Sequence, residues 1–195
     1  MQSIRVPVAV ALMCVGAFQS VAAQAAPTVA QQIAGAVLAL PEPMRAGAGV
    51  MGYKTPGKLE SLRATSNGMI CLANDPAGKG FHVSCYHDSM EPFMARGRAL
   101  RATGVKGAQV DTARFAEVKA GKLKMPTAPA SLYQVFADAY DPATGKLTNA
   151  NALFVVYVPF ATEKSTGLST LPSDTQPWLM LQGTPKAHIM FSTKM

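Results

Sequence analysis

The residue types that most often take part in chemistry are concentrated in one stretch of this sequence. Residues 66–101 contain Cys71 and Cys85, together with His82 and His87. The third histidine of the chain, His188, lies close to the C-terminus. This stretch is therefore where we first look for a site, although no motif within it defines a reaction.

The N-terminal segment predicts export. Arg5 is followed by an apolar run over residues 6–18 and by Ala23-Gln24-Ala25, which fits the A-x-A cleavage pattern of secretory signal peptides. We expect residues 1–25 to be a signal peptide and residues 26–195 to be a single domain in the periplasm or secreted. No later apolar run approaches the roughly 20 residues of a membrane helix, so we expect no membrane span in the mature chain.

Two chemistries fit the cysteines, and export favours one of them. Thiolates together with His87 and His188 would form a tetrahedral zinc site, but the spacing matches no standard zinc finger. In an oxidising compartment an isolated cysteine pair most often forms a disulfide. The sequence therefore predicts a Cys71–Cys85 disulfide.

The histidines leave three interpretations open. His82, His87 and His188, with Asp88 or Glu91, form a ligand set suited to zinc or iron, and His188 with Met190 would suit copper. His87 beside Asp88 or Glu91 would also serve general acid–base catalysis. The structural alternative is that His87 caps the junction between a strand and a helix, His82 faces solvent and the methionines fill the core.

Composition excludes several other functions. The formal net charge is +7, but the basic residues are scattered and are not interleaved with aromatic ones, so we expect no nucleic-acid partner. Gly47, Gly49 and Gly52 match G-x-G-x-x-G without a helix after them, so we reject a dinucleotide site and expect a bend or close strand approach. No other cofactor motif is present, and we expect no cofactor.

The elements around the cysteines form a predicted antiparallel meander. A helix over residues 28–40 comes first, followed by strands over residues 59–65, 69–74 and 81–86. Asn67-Gly68 is a strong hairpin signal and predicts that the first two strands pair. A five-residue second turn places Cys71 opposite Cys85 on the more apolar face, and a disulfide closing about 15 residues stabilises by roughly 3 kcal/mol.

The rest of the chain completes an α+β fold with an antiparallel sheet (meander plus C-terminal hairpins) packed with two or three helices. Asp88 or Ser89 caps a helix that carries an apolar stripe and Gly97, which we expect to pack closely on the sheet. A short helix follows over residues 111–119. Strands are expected over residues 132–139, 152–159, 178–181 and 188–192, and the long loop over residues 161–176 suggests function or mobility.

Four sequence landmarks resemble a family of uncharacterised secreted bacterial proteins. They are Ser66-Asn67-Gly68-Met69-Ile70-Cys71, Phe81-His82-Val83-Ser84-Cys85-Tyr86-His87, Glu91-Pro92-Phe93-Met94-Ala95-Arg96-Gly97-Arg98 and Gly183-Thr184-Pro185-Lys186-Ala187-His188-Ile189-Met190. The resemblance implies a bacterial exported protein. It brings no activity and no catalytic residues.

These observations lead to two hypotheses about function. The first is a non-enzymatic module that binds a small molecule or a protein near His87, with His188, Arg96 and Arg98 as the polar lining. The second is a metal-dependent, hydrolase-like enzyme that uses His82, His87 and His188.

Overall fold

The structure is a computed structural model that describes residues 26–194, with side chains up to residue 191. The predicted signal peptide lies outside the described residues. The helices are α1 (Val29–Ala36), α2 (Glu42–Arg45), α3 (Glu91–Ala102), α4 (Ala108–Lys119) and α5 (Glu163–Thr166). The strands are β1 (Gly49–Thr55), β2 (Lys58–Arg63), β3 (Met69–Leu72), β4 (Phe81–His87), β5 (Ala130–Ala137), β6 (Ala139–Asp141), β7 (Lys146–Thr148), β8 (Asn151–Tyr157), β9 (Trp178–Met180) and β10 (His188–Lys194).

Eight strands form one sheet in the order β2-β1-β3-β4-β5-β8-β10-β9, and β6 pairs with β7 in a separate hairpin. Every neighbouring pair in the large sheet is antiparallel except β1 and β3, which run parallel. The prediction of an α+β fold with a mostly antiparallel sheet is confirmed. Within the described residues, no helix has the length and apolar character needed to cross a membrane.

The predicted pairing of β2 with β3 is wrong, because β1 lies between them. The chain turns instead at Pro56-Gly57, where Gly57 has a φ of 73° and Thr55 pairs with Lys58. Proline followed by a glycine of positive φ suits a tight turn. Asn67-Gly68 becomes a connection tied to α2, since the Asn67 side-chain amide donates to the Met44 carbonyl at 2.8 Å. Gly68 has a positive φ of 77° but Asn67 does not, so the hairpin turn predicted at these two residues is not formed.

The predicted register of β3 on β4 is confirmed. Cys71 lies opposite Cys85, and the two sulfur atoms form a disulfide across the adjacent strands. Both cysteines are fully buried. The disulfide therefore lies inside the core, as the apolar face of the meander predicted.

The sheet has an apolar layer on each side. The first, the α1 face, packs α1 and the following 3-10 turn against Cys71, Val83 and Cys85. The second, the α3–α4 face, packs the two longer helices against Tyr86, Leu132 and other residues that alternate with the first set. Both faces of the central strands are thus buried, and only the first was expected to be.

Helix α1 begins and docks through polar contacts. Thr28 caps it by accepting a hydrogen bond from the Gln31 backbone N–H at 3.2 Å. The buried amide of Gln32 exchanges two hydrogen bonds with the Tyr53 backbone at 2.7 and 2.9 Å. A Cβ on Gly52 would lie 2.7 Å from the Gln32 side-chain oxygen, so the glycine permits the close approach that the sequence suggested.

The predicted apolar stripe of α3 is buried at Met90, Phe93 and Leu100. Gly97 allows a close approach, as expected, but its neighbour is α4 rather than the sheet. A Cβ on Gly97 would lie 2.9 Å from the guanidinium of Arg114. The two helices therefore meet at a glycine and a buried arginine.

The C-terminal strands pair as predicted, with β5 beside β8 and β10 beside β9. The predicted loop over residues 161–176 contains α5, capped by Thr162. The segment after α5 runs along the outer side of β9, where the Leu179 N–H donates to the Ser169 carbonyl at 2.8 Å. That edge of the sheet is therefore partly covered by the chain itself.

Candidate functional site

His87 lies at the end of β4 and its side chain is about half exposed. Its Nδ1 atom lies 2.8 Å from the Ser89 hydroxyl and accepts a hydrogen bond from the Ser89 backbone N–H at 3.3 Å. Asp88 is adjacent, with an Nδ1–Oδ1 distance of 3.5 Å and comparable exposure. His87 therefore caps the strand–helix junction, and its Asp88 partner is equally open to solvent.

Glu91 does not join His87. Its carboxylate accepts hydrogen bonds from the Tyr86 hydroxyl at 2.5 Å and from Arg98 at 2.5 Å, and Arg98 also donates to the Tyr86 oxygen at 2.8 Å. Burial raises the pKa of Tyr86, and its hydrogen bond to Glu91 raises it further. These three side chains form a closed network on the α3–α4 face, so Arg98 is already engaged by a carboxylate.

Arg96 is also engaged by a carboxylate. Its guanidinium holds Glu117 of α4 through three contacts of 2.6 to 2.9 Å. The hydrogen bonds from Arg96 lower the pKa of Glu117. Both arginines of the predicted ligand lining thus serve contacts between elements of the fold.

The three histidines do not share one location. His87 follows Cys85 on the α1 face by strand alternation, whereas His82 and His188 lie on the α3–α4 face. His82 stacks on Phe136 at 4.4 Å between ring centres, and partial burial lowers its pKa. Among the described residues, no three histidine, cysteine or acidic side chains are grouped as a metal site. The ligand set of the metal-site interpretation is therefore not grouped among these residues, and His87 and His188 lie on opposite faces of the sheet.

A charged network that the sequence reading missed lies beneath α4. Arg114 is only 4% exposed, and its guanidinium lies 3.8 Å from the centre of the Phe93 ring. It donates to the Phe93 carbonyl and to Asp111, and the second oxygen of Asp111 accepts from Lys186 at 2.8 Å. Partial burial opposes ionisation of Asp111, but the hydrogen bonds from Lys186 and Arg114 lower the pKa of its carboxyl below the ordinary value.

His188 lies beside this network. It is buried, its Nδ1 atom lies 2.6 Å from the Lys186 carbonyl oxygen, and its ring packs on Tyr157 at 5.4 Å. Burial lowers the pKa of His188, and the hydrogen bond to the Lys186 carbonyl acts in the opposite direction without offsetting it. Burial also raises the pKa of Tyr157 to about 12. Both side chains are therefore held in their neutral forms near pH 7.

One concave feature of the described residues is an open groove of about 840 Å³. One wall is the end of α4 and the segment over residues 123–129, and the other wall is residues 158–161. The lining is mostly apolar: Val118, Leu123, Lys124, Met125, Pro126, Thr127, Ala128, Pro129, Val158, Pro159, Phe160, Ala161 and Ser165. Its size lies within the range of small-molecule sites, which are also mostly apolar with a few polar groups.

The second wall of the groove is held in place by the turn before β10. The N–H groups of Val158 and Phe160 donate to the carbonyls of Ala187 and Thr184, each at 2.9 Å. Lys186 of this turn binds Asp111 on α4, and α4 ends at the first wall. The Asp111–Lys186 contact therefore connects the two walls of the groove.

Comparison of this chain with protein-family models, with curated proteins and with solved structures gave no match.

Phe160 combines exposure with an unusual backbone at the rim of the groove. Its side chain is 53% exposed and its φ is 64°, a left-handed conformation that bulky residues seldom adopt. Leu181 shares both properties and is joined to it, because Thr184 accepts from the Phe160 N–H and donates to the Leu181 carbonyl. Local strain of this kind often accompanies binding sites.

Sequence reasoning missed the groove because irregular segments form both walls. Residues 123–129 contain two prolines and form no regular secondary structure, and residues 161–176 were expected to be a long loop. Neither signal says that the two segments approach each other. The buried ion network had a clearer signal, since Arg114 follows the buried Val110 by one helical repeat and Asp111 is three residues before it.

Proposed function

We propose that this protein is an exported, non-enzymatic ligand-binding module whose site is the groove between α4 and residues 158–161. The observation that carries the proposal is the groove itself, because an open volume of about 840 Å³ with an apolar lining suits a small molecule with an apolar body. The predicted signal peptide, the family resemblance and the buried Cys71–Cys85 disulfide support a bacterial protein exported to the periplasm or beyond.

Phe160 gives the groove an adaptable aromatic rim. When an exposed aromatic ring beside an apolar cleft covers a ligand, its apolar surface is removed from water. Burying such a side chain stabilises the complex by about 1.5–3 kcal/mol. The opposite wall contributes Met125 and Pro126, which add polarisable and rigid apolar surface. These side chains would recognise the shape and the apolar area of a ligand. Binding of this kind involves no chemical reaction.

The test is the binding of a neutral fluorescent apolar probe, N-phenyl-1-naphthylamine, to the mature chain. We expect its emission to rise and saturate at one equivalent of protein. Phe160→Gly should weaken binding by about tenfold, in line with the loss of roughly 1.4 kcal/mol of apolar contact. Ala128→Gln should weaken it as well, because the longer side chain enters the groove.

Leu171→Ala is the matched control. Leu171 is 75% exposed but does not line the groove, so this variant also removes an exposed apolar side chain. It should bind the probe as the parent does. A probe that does not bind, or one whose binding responds equally to Leu171→Ala and Phe160→Gly, would refute the proposed site.

A further inference from the structure

We infer that the groove selects anionic amphiphiles with one apolar chain, of which medium-chain carboxylates are the simplest members. The inference rests on the proposed function and adds the charge of the ligand. Its basis is the distribution of charge along the first wall of the groove.

The first wall carries three lysines that form no salt bridge in the described part of the chain, although Lys122 is close enough to Glu117 to add to the lowering of its pKa by Arg96. Lys119, Lys122 and Lys124 follow one another from the end of α4, all three are exposed, and Lys124 lines the groove. None of them forms a salt bridge with a described residue. Positive charge is therefore concentrated at one side of an apolar cleft.

The acidic residue closest to these lysines in the sequence is already committed elsewhere. Glu117 is the only acidic residue between Thr112 and Ala137, and Arg96 holds its carboxylate through three short contacts. The second wall adds no net charge, since Glu163 and Lys164 are neighbours at the start of α5. Among the described residues, Lys124 is the only charged side chain that lines the groove.

An apolar groove with cations along one rim matches a molecule that has an apolar chain and an anionic end. The chain would occupy the groove beneath Phe160, and the anion would lie at Lys124 with Lys122 close by. A neutral alcohol of the same chain length would be stabilised only by the apolar contacts in the groove. Exposed ion pairs are individually weak, so we expect a preference for the carboxylate of about fivefold, declining with added salt.

The experiment measures displacement of the neutral probe from the mature protein by decanoate, decanol and decyltrimethylammonium, each below its micellar concentration. Decanoate should displace the probe at about one fifth of the decanol concentration, and the cation should be the weakest. Equilibrium dialysis with labelled decanoate provides a second measurement that does not depend on the probe. The Lys122→Gln/Lys124→Gln double variant should bind decanoate and decanol equally.

The matched control is Lys54→Gln/Lys79→Gln, which removes the same charge from exposed lysines that do not line the groove. It should retain the preference of the parent. If decanol and decanoate displace the probe equally, the charge inference fails and the groove proposal stands. If neither the probe nor labelled decanoate binds, both fail. If the control loses the preference as fully as the double variant does, net charge rather than the lysine segment is responsible, and the inference is overturned.

Discussion

Asp111 and Lys186 are separated by 75 residues in the chain, and their charged groups meet at 2.8 Å between Oδ2 and Nζ. The other oxygen of Asp111 accepts a hydrogen bond from the buried Arg114. One carboxylate thus compensates a buried cation and fastens the turn before β10 to α4. The stability of the α3–α4 face and the position of the groove walls depend on the same side chain.

Asp111→Ala should destabilise the protein by about 3 kcal/mol, because it leaves the Arg114 guanidinium buried without a carboxylate. Lys186→Met removes only the partly exposed partner and should cost about 1 kcal/mol or less. The free energy of unfolding from urea titration measures both losses. Equal losses for the two variants would show that compensation of Arg114 is not the main contribution of Asp111.

Stability should fall as the pH is lowered from about 7.5 to 5. Burial lowers the pKa of His188 in the folded state from its ordinary value of 6.5. Over this pH range the unfolded state binds a proton at His188 more readily than the folded state does. The stabilising contribution of His188 is therefore fully present above pH 6.5 and declines below it. His188→Asn should reduce the slope of the free energy of unfolding against pH. For the parent and the variant alike, the change is measured from that protein's own free energy of unfolding at pH 8. An unchanged slope would contradict this assignment.

Removing the disulfide with Cys71→Ala/Cys85→Ala should lower the free energy of unfolding by roughly 3 kcal/mol, because the unfolded chain loses a closed loop of about 15 residues. Addition of a thiol reductant to the unfolding titration should destabilise the parent and leave the double variant unaffected. Intact mass after alkylation, with and without reduction, measures the free thiols. Two alkylated thiols in the native oxidised protein would refute the disulfide.

Phe160→Gly should be more stable than Phe160→Ala by about 1 kcal/mol. Both changes remove the same ring, but only glycine adopts a φ of 64° without steric cost. Thermal or urea unfolding of the two variants measures the difference. A more stable alanine variant would show that this residue is not left-handed in solution.

Tyr86→Phe should cost about 1 kcal/mol, since it removes a buried hydroxyl that bonds to both Glu91 and Arg98 and leaves that ion pair intact. Glu91→Ala should cost more, because both Tyr86 and Arg98 lose an acceptor. Urea titration ranks the two variants. The reverse order would mean that the hydroxyl, rather than the carboxylate, is the centre of this network.

The parts of the fold that were predicted correctly depend on the spacing of residues that are close in the sequence. The number of residues between Cys71 and Cys85 fixes their pairing once the turn length is known, and the spacing of Met90, Phe93 and Leu100 fixes the buried side of α3. The position of β1 could not be obtained in this way. Pro56-Gly57 and Asn67-Gly68 are both turn signals in the sequence, and neither says which strands pair in the folded sheet.

The candidate site was less accessible to prediction because contacts between distant segments define it. His87 was correctly placed at the strand–helix junction, and its capping interaction was among the alternatives considered. Arg96 and Arg98 were expected to be available for a ligand, but Glu117 lies within reach of Arg96 only after α3 and α4 have packed, and Arg98 pairs with Glu91 of its own helix. A list of charged residues does not say which charges are already compensated.

The hydrogen bond between Leu179 and Ser169 has a consequence for association between molecules. An open sheet offers two rows of unpaired backbone groups, and such edges invite the addition of strands from other chains. At β9 the chain occupies part of this position itself. At the opposite edge, β2 presents Lys58 and Glu60, and charged side chains discourage a second strand. Both ends of the sheet thus oppose growth into aggregates.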